Sequence, residues 1–329
     1  MNVLLTGGNG FLGSHVLDRL LADGHVVRLL LRNTSDTTHI RPHLDAVEVR
    51  YGELRDPASL KRAVDGVEAV VHCAAKTTAV HCRTYYEVNA GGTRNLVRAC
   101  AARGDGLRRF VQVSSLSVTG PGTVAHPARE DDRPRPVSHY GRSKRLAERY
   151  VRRMRTPHVI LRPAAVYGPR DTDFFTAFKM VQQGLMPLID GGRQLFSLIY
   201  APDAARAVAR ALTSAAAPGH TYHVANPDPL PQRQFLECMA GAMGARPLRI
   251  PLPHLLLYPV CLVQEAIARV SGRAGILNLQ KIPEYAAAGW VCSTAAAAQD
   301  LDFTAGTGVR EGVKATYEWY TGHGWLESP

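Results

Sequence analysis

The chain has 329 residues, 46% hydrophobic and 20% charged, with 39 lysines and arginines against 28 acids and a formal charge of +11. That is enough apolar sequence for a sizeable core, as one large domain or a main domain with a smaller lobe. The positive charge does not make a nucleic-acid binder: the arginines are spread through amphipathic segments such as 142–155, with no basic tail and no aromatic-basic interleaving.

In chain order, short β-branched and leucine runs at 3–5, 26–31, 47–50, 69–72 and 110–113 read as strands. Amphipathic stretches at 11–22, 57–64, 82–103 and 140–155 read as the helices between them. Such alternation predicts a parallel sheet with helices on both faces, extended by strands at 159–162 and 221–224. Beyond Pro163, proline and glycine interrupt the pattern, and helices resume at 204–214, 232–243 and 254–270. The expected organisation is a nucleotide-binding domain over 1–163 and a substrate-binding lobe over 164–329, with some later segments returning to the sheet. The apolar stretch 252–263 is broken by Pro253 and Pro259 and is too short to span a bilayer, so it is read as a helix over a substrate pocket or on the core, with a membrane-surface patch as the alternative.

Six widely spaced cysteines without a C-x-x-C pair predict reduced thiols and no metal site. The strand-like start offers no signal peptide, and a cytoplasmic location is expected.

The segment Thr6-Gly7-Gly8-Asn9-Gly10-Phe11-Leu12-Gly13 follows the first strand and opens the first helix. Glycines there let the backbone turn tightly and approach a pyrophosphate, which the free N–H groups of the helix start would hold. About 20 positions on, an acid would bind a ribose 2′-hydroxyl. This chain has Arg32 instead, which suits a 2′-phosphate, so NADP(H) is preferred and NAD(H) stays open. Tyr140 and Lys144 are four apart on a predicted helix and share a face, where an ammonium would favour a phenolate.

These pieces, with Asn89-Ala90-Gly91-Gly92-Thr93, Ser114-Ser115 followed by Gly120, and Leu161-Arg162-Pro163 leading to Tyr167-Gly168-Pro169, resemble the extended short-chain dehydrogenase/reductase family. The order and spacing match over nearly the whole chain. The pattern is nearest to the hydroxysteroid dehydrogenase and dihydroflavonol reductase type of ketoreductase. The resemblance implies a doubly wound Rossmann fold, an NAD(P)-dependent enzyme, and Tyr140 as proton donor or acceptor at the substrate oxygen. It implies that Lys144 holds the nicotinamide ribose and depresses the tyrosine pKa, that Ser115 rather than Ser114 binds the oxygen, and that Asn89 supports the lysine by its backbone or through water. Gly7, Gly10, Phe11, Leu12, Gly13, Arg32, Glu53, Leu54, Ala74, Ala75, Lys76, Pro163 and Val166 would line the cofactor, with Glu53 one methylene longer than the usual aspartate. His72 is read as a packed strand-end residue.

Two positions bear on the substrate. Where many nucleotide-sugar members carry asparagine, this chain has Ala165, and where they carry a diphosphate-pairing arginine segment it has Phe196 and Leu198. Both anchors are apolar, so an apolar carbonyl or alcohol substrate is preferred, with Ser115, Ala165, Phe196 and Leu198 at the substrate. The alternatives are a nucleotide-sugar epimerase or dehydratase using the same Ser-Tyr-Lys set, and a non-catalytic NADP(H) sensor. For a dehydratase the sequence offers no carboxylate beside the tyrosine. A homodimer through the helices at 82–103 and 140–155 is an open expectation from the family.

Overall fold

The computed structural model describes residues 1–104, 106–271 and 279–327. A sheet of seven parallel strands organises the chain: β1 (Asn2–Thr6), β2 (Val26–Leu31), β3 (Glu48–Tyr51), β4 (Ala69–His72), β5 (Arg109–Val113), β6 (His158–Pro163) and, much later, β11 (Thr221–Val224). Their spatial order is β11-β6-β5-β4-β1-β2-β3, every pair parallel. The direction of travel reverses between β1 and β4, and in doubly wound sheets that crevice, at the carboxyl ends of the strands, is where ligands bind.

Strand alternation decides which helices sit on which face. Val3, Leu5, Leu29, Val71, Val111 and Leu161 point to one side, among the buried residues that α1 (Phe11–Ala22) and the later α7 (Ala201–Thr213) bring there. Leu4, Leu30, Val70, Phe110 and Ile160 point to the other, against α2 (Pro57–Val64) and α4 (Gly92–Ala102). Successive residues of a strand face opposite ways, so a sheet buried on both faces needs both sets apolar, and they are. Local chemistry fixes where helices begin. Pro57 stands at the first helical turn of α2 while the Asp56 carboxylate accepts the Ala58 N–H at 3.0 Å.

The helical run after β4 is not uniform. It opens as α3 (Cys82–Tyr85), passes through a π-helical stretch at Tyr86–Gly91, and continues as α4. Such π segments occur often at functional positions, and Asn89 lies in this one. The helix α5 (His139–Val151) carries Tyr140 and Lys144 and ends four residues short of the expected 155.

Beyond β6 the chain builds a second core. It contains β7 (Ala165–Tyr167), α6 (Asp173–Gln182), β8 (Leu185–Ile189), β9 (Leu195–Phe196) and β10 (Leu198–Tyr200), then β12 (Leu230–Pro231), α8 (Gln232–Met243) and β13 (Leu248–Leu252). Phe178, Met186, Phe235, Met239 and Tyr320 fill it. The last elements are α9 (Leu257–Ser271), α10 (Ile282–Tyr285), β14 (Gly289–Trp290), α11 (Ala295–Leu301) and α12 (Val309–Gly322). Of the 252–263 stretch, Leu257 and Cys261 pack with Ile282, whereas Leu255, Leu256, Leu262 and Val263 are exposed. No described helix is long and apolar enough to cross a membrane.

Candidate active site

The glycine turn forms a cradle that side chains would fill. Gly7 has φ +72°, and a Cβ on it would stand 2.6 Å from the backbone of Ala74; one on Gly13 would stand 1.9 Å from the Gly7 carbonyl oxygen. The turn therefore demands glycine at both positions, bringing the start of α1 onto the end of β1. Gly10 precedes α1 and no side chain caps it, so the first N–H groups, from Phe11 to Gly13, are left to a ligand. A dinucleotide pyrophosphate fits that donor set. Arg32 follows the last residue of β2, exposed, with no partner on its guanidinium among the described residues. Glu53 and Leu54 follow β3; Leu54 packs on Gly92, and its carbonyl accepts from Asn95 at 3.0 Å. Ala74 and Ala75 are half-buried beside the glycine turn.

Ser115 and Tyr140 come near each other at the carboxyl end of the sheet, where Ser115 Oγ accepts the Ser117 N–H at 3.2 Å. Ser114, one residue earlier, points into the core and donates to Glu148 Oε1 at 2.6 Å. Successive residues of an extended strand face opposite ways, which separates the anchored serine from the one beside the phenol. The carboxylate of Glu148 also takes a two-pronged bond from Arg162, at 2.9 Å from Nε and 2.7 Å from the terminal nitrogen. Arg162 is 1% exposed. Its remaining donors reach Thr119 Oγ1 at 3.0 Å and the Glu130 carbonyl at 3.3 Å. One buried network thus ties β5, β6 and α5 together and fixes the helix from which Tyr140 and Lys144 project. The start of α5 is held by Ser138, whose Oγ accepts the Gly141 N–H at 3.1 Å.

Asn89 does not reach Lys144. Its Oδ1 accepts the Lys76 N–H at 2.7 Å, and its Nδ2 donates to the Lys76 carbonyl at 3.1 Å and to Ser143 Oγ at 2.9 Å. It therefore clamps the loop after β4 onto α5, and Lys76, with an exposed side chain, is held through its backbone. Lys144 Nζ donates to the Val113 carbonyl at 2.6 Å. Burial pulls its ammonium down to about 8, opposed by Glu148 and Cys73. The expected depression of the tyrosine pKa is not what this geometry gives: burial pushes Tyr140 up to about 12, with only Ser115 pulling back and Glu284, Tyr85 and Asp173 adding to the rise. The phenol is thus held as an acid at neutral pH.

His72 takes no part. Thr93 Oγ1 donates to the Asn89 carbonyl at 2.6 Å, so at 2.9 Å it accepts from His72 Nε2, while Nδ1 faces the Thr6 hydroxyl at 2.6 Å. Burial pulls this imidazole down to about 3.

Tyr140 opens on a cavity of about 160 Å3 lined also by Thr77, Tyr85, Ser117, Ser138, Asp173, Lys281 and Glu284. The absence of a carboxylate beside the tyrosine, expected from sequence, is corrected here: Glu284 arrives from α10, 144 residues downstream, onto the same cavity wall as Ser138. Burial raises its pKa, opposed by Ser138 and Lys281. No spacing rule links residues so far apart. Leu198 is also corrected. It has no exposed surface and belongs to the second core, because β10 pairs with β7 and turns that side chain toward Phe178 and Phe235. Phe196 is half-buried with its ring edge-on to Phe235, 6.0 Å between centroids. Ala165 is exposed at the end of the sheet, followed by half-buried Val166; Pro163 closes β6 and is buried.

Asp171 sets the start of α6 next to this cavity, accepting the N–H groups of Asp173 at 2.9 Å and Phe174 at 3.1 Å. Burial raises its carboxyl from the usual 3.8 to about 7. The folded chain then holds a proton that the unfolded chain has released, so this group stabilises at low pH and loses its contribution as pH rises from about 4 through 7. Melting curves at pH 5 and 7 should show a pH-dependent contribution of about 1–2 kcal/mol that disappears in Asp171→Asn. An unchanged slope in the variant would contradict the assignment.

With this geometry in view, comparison with known proteins is decisive. Residues 3–225 match the family described as NAD dependent epimerase/dehydratase family. The chain belongs to that family. It is an NAD(P)-dependent oxidoreductase of the extended short-chain dehydrogenase/reductase type. Within the NAD dependent epimerase/dehydratase family it is similar to the ceramide reductase of Caulobacter vibrioides, 29% identical over 98% of this chain and 96% of that protein. It is 32% identical to the 2-alkyl-3-oxoalkanoate reductase of Stenotrophomonas maltophilia over 74% of this chain and 76% of that one. Among solved structures, the Thermus thermophilus UDP-glucose 4-epimerase in complex with NAD superposes with a TM-score of 0.78 at 25% identity, covering 98% of this chain and 99% of that one.

Proposed function

We propose that the chain is an NADPH-dependent reductase of an amphiphilic ketone, with a polar head beside Tyr140 and an apolar body leading away from it. The observation that carries the reading is the tyrosine site itself: a phenol held as an acid, near Ser115, beside a surface where Ala165 stands in place of a diphosphate anchor. A desolvated contact to phosphate is worth on the order of 2–5 kcal/mol, and an alanine contributes none of it. Two of the relatives just described are named as reductases, one for ceramide and one for 2-alkyl-3-oxoalkanoates, which supports the same class.

In this reading the backbone from Gly7 to Gly13 holds the pyrophosphate, Arg32 the 2′-phosphate, and Glu53 and Leu54 flank the adenine. Ala74, Ala75, Lys76, Pro163 and Val166 line the nicotinamide end. The bound dinucleotide supplies the hydride. Ser115 donates to the carbonyl oxygen and so favours charge developing there, Tyr140 delivers the proton to that oxygen, and Lys144 orients the ribose. Asn89 acts indirectly, by fixing the loop that carries Lys76.

The test is a substrate panel with NADPH: long-chain ketones should be reduced, whereas UDP-glucose and UDP-N-acetylglucosamine should not be altered. A nucleotide-sugar epimerase or dehydratase is the second reading, favoured by the carboxylate of Glu284 beside Tyr140, and the reverse outcome on that panel would establish it. For the cofactor, Arg32→Ala should reduce the preference for NADPH over NADH about tenfold in kcat/KM, the loss of one charge-assisted contact at an exposed position. An unchanged ratio would remove Arg32 from the assignment.

A further inference from the structure

Three charged residues on the Tyr140 cavity have no part in hydride or proton transfer: Asp173 in the first turn of α6, Lys281 at the start of α10, and Glu284 within it. Their arrangement limits what can occupy the space. The Ser138 hydroxyl already accepts the Gly141 N–H at 3.1 Å, and it has one proton to give. The Glu284 carboxylate stands on the same cavity wall as Ser138, and an ionised carboxylate only accepts. Two carboxylates against one ammonium make this cavity wall acidic in a chain whose formal charge is +11. At about 160 Å3 the cavity has the volume of about five water molecules, enough for a head group and too little for a long-chain substrate as a whole.

We propose that Glu284, Asp173 and Lys281 form a subsite for a neutral hydrogen-bond donor, a hydroxyl or amide N–H, carried on the substrate next to the carbonyl that Tyr140 protonates. A donor there pairs with the Glu284 carboxylate on the cavity wall. A free carboxylate or phosphate in the same place faces two like charges and pays their repulsion. The subsite rests on the reading of Tyr140 as the proton donor and adds to it the chemical class of the head group. It separates this chain's preferred substrate from a β-keto acid of the same length.

The experiment uses three ketones of equal chain length: one with an acylamino group on the carbon next to the carbonyl, one unsubstituted, and one ending in a β-carboxylate. With NADPH, the full chain should reduce the acylamino ketone with kcat/KM about tenfold above the unsubstituted one, and the keto acid should be poorest. In Glu284→Gln the ratio of the first two should fall to about two, through KM. In Asp173→Asn, an exposed and conservative change that serves if the first variant folds poorly, the keto acid should gain on both. Equal kcat/KM for all three ketones, or ratios untouched in both variants, would overturn the subsite while leaving the reductase reading in place. A chain that reduces none of the three overturns the reductase reading, and the subsite with it.

Discussion

Tyr140→Phe is expected to lower kcat by about a hundred- to ten-thousand-fold while dinucleotide affinity stays near that of the parent chain. The phenol hydroxyl is the sole change, and it faces the cavity near Ser115 rather than the glycine cradle. At neutral pH the parent phenol carries the proton it delivers, and phenylalanine has none to give. The ring of Tyr85, 6.2 Å away and edge-on, packs equally well on phenylalanine, so the fold is not at stake. Single-turnover reduction and fluorescence titration of the dinucleotide would separate the two quantities. Retained turnover would remove Tyr140 from proton transfer, and lost affinity would place it in cofactor binding instead.

Glu148→Ala should destabilise the chain by about 3–5 kcal/mol. Removing that carboxylate leaves Arg162, 1% exposed, with no counter-charge, and Ser114 without its acceptor. The cost comes from stranding a buried guanidinium rather than from the value of the ion pair in itself. A double variant, Glu148→Leu with Arg162→Met, should therefore be more stable than either single charge deletion, because it removes the orphan along with the pair. Denaturant unfolding of the parent chain, Glu148→Leu, Arg162→Met and the double variant closes the cycle. Additive losses would show that the two residues are not coupled.

Much of the nucleotide-binding half is legible in the sequence for a physical reason. Its inner strands are buried on both faces and its helices on one, so burial writes two different periods into the chain, and segments such as 26–31, 57–64 and 69–72 have observed bounds identical to the expected ones. The second half is harder because its strands are two to five residues long, too short for a period to declare itself, as with Leu195–Phe196 and Leu230–Pro231. The helix Asp173–Gln182 carries polar residues at Asp173, Thr176, Lys179 and Gln182, a helical spacing that the proline and glycine breaks around it obscure.

The site divides the same way. The glycine turn, Ser115, Tyr140 and Lys144 lie close to strand ends or within one helix, where spacing translates into geometry. Glu284 is brought in by the tertiary fold, and the inward turn of Leu198 depends on the pairing of β10 with β7, which no local pattern specifies. Asn89 illustrates an intermediate case. Its place near the site is legible, but its attachment to Lys76 and Ser143 rather than Lys144 follows from the π-helical stretch that turns it.

Transfer of label from NADPH deuterated on the nicotinamide C4 to a long-chain acylamino ketone tests the central claim most directly. The account requires product alcohol carrying one deuterium on the former carbonyl carbon, formed by the parent chain and not by Tyr140→Phe. Unlabelled ketone recovered beside an epimerised or dehydrated nucleotide sugar would contradict it.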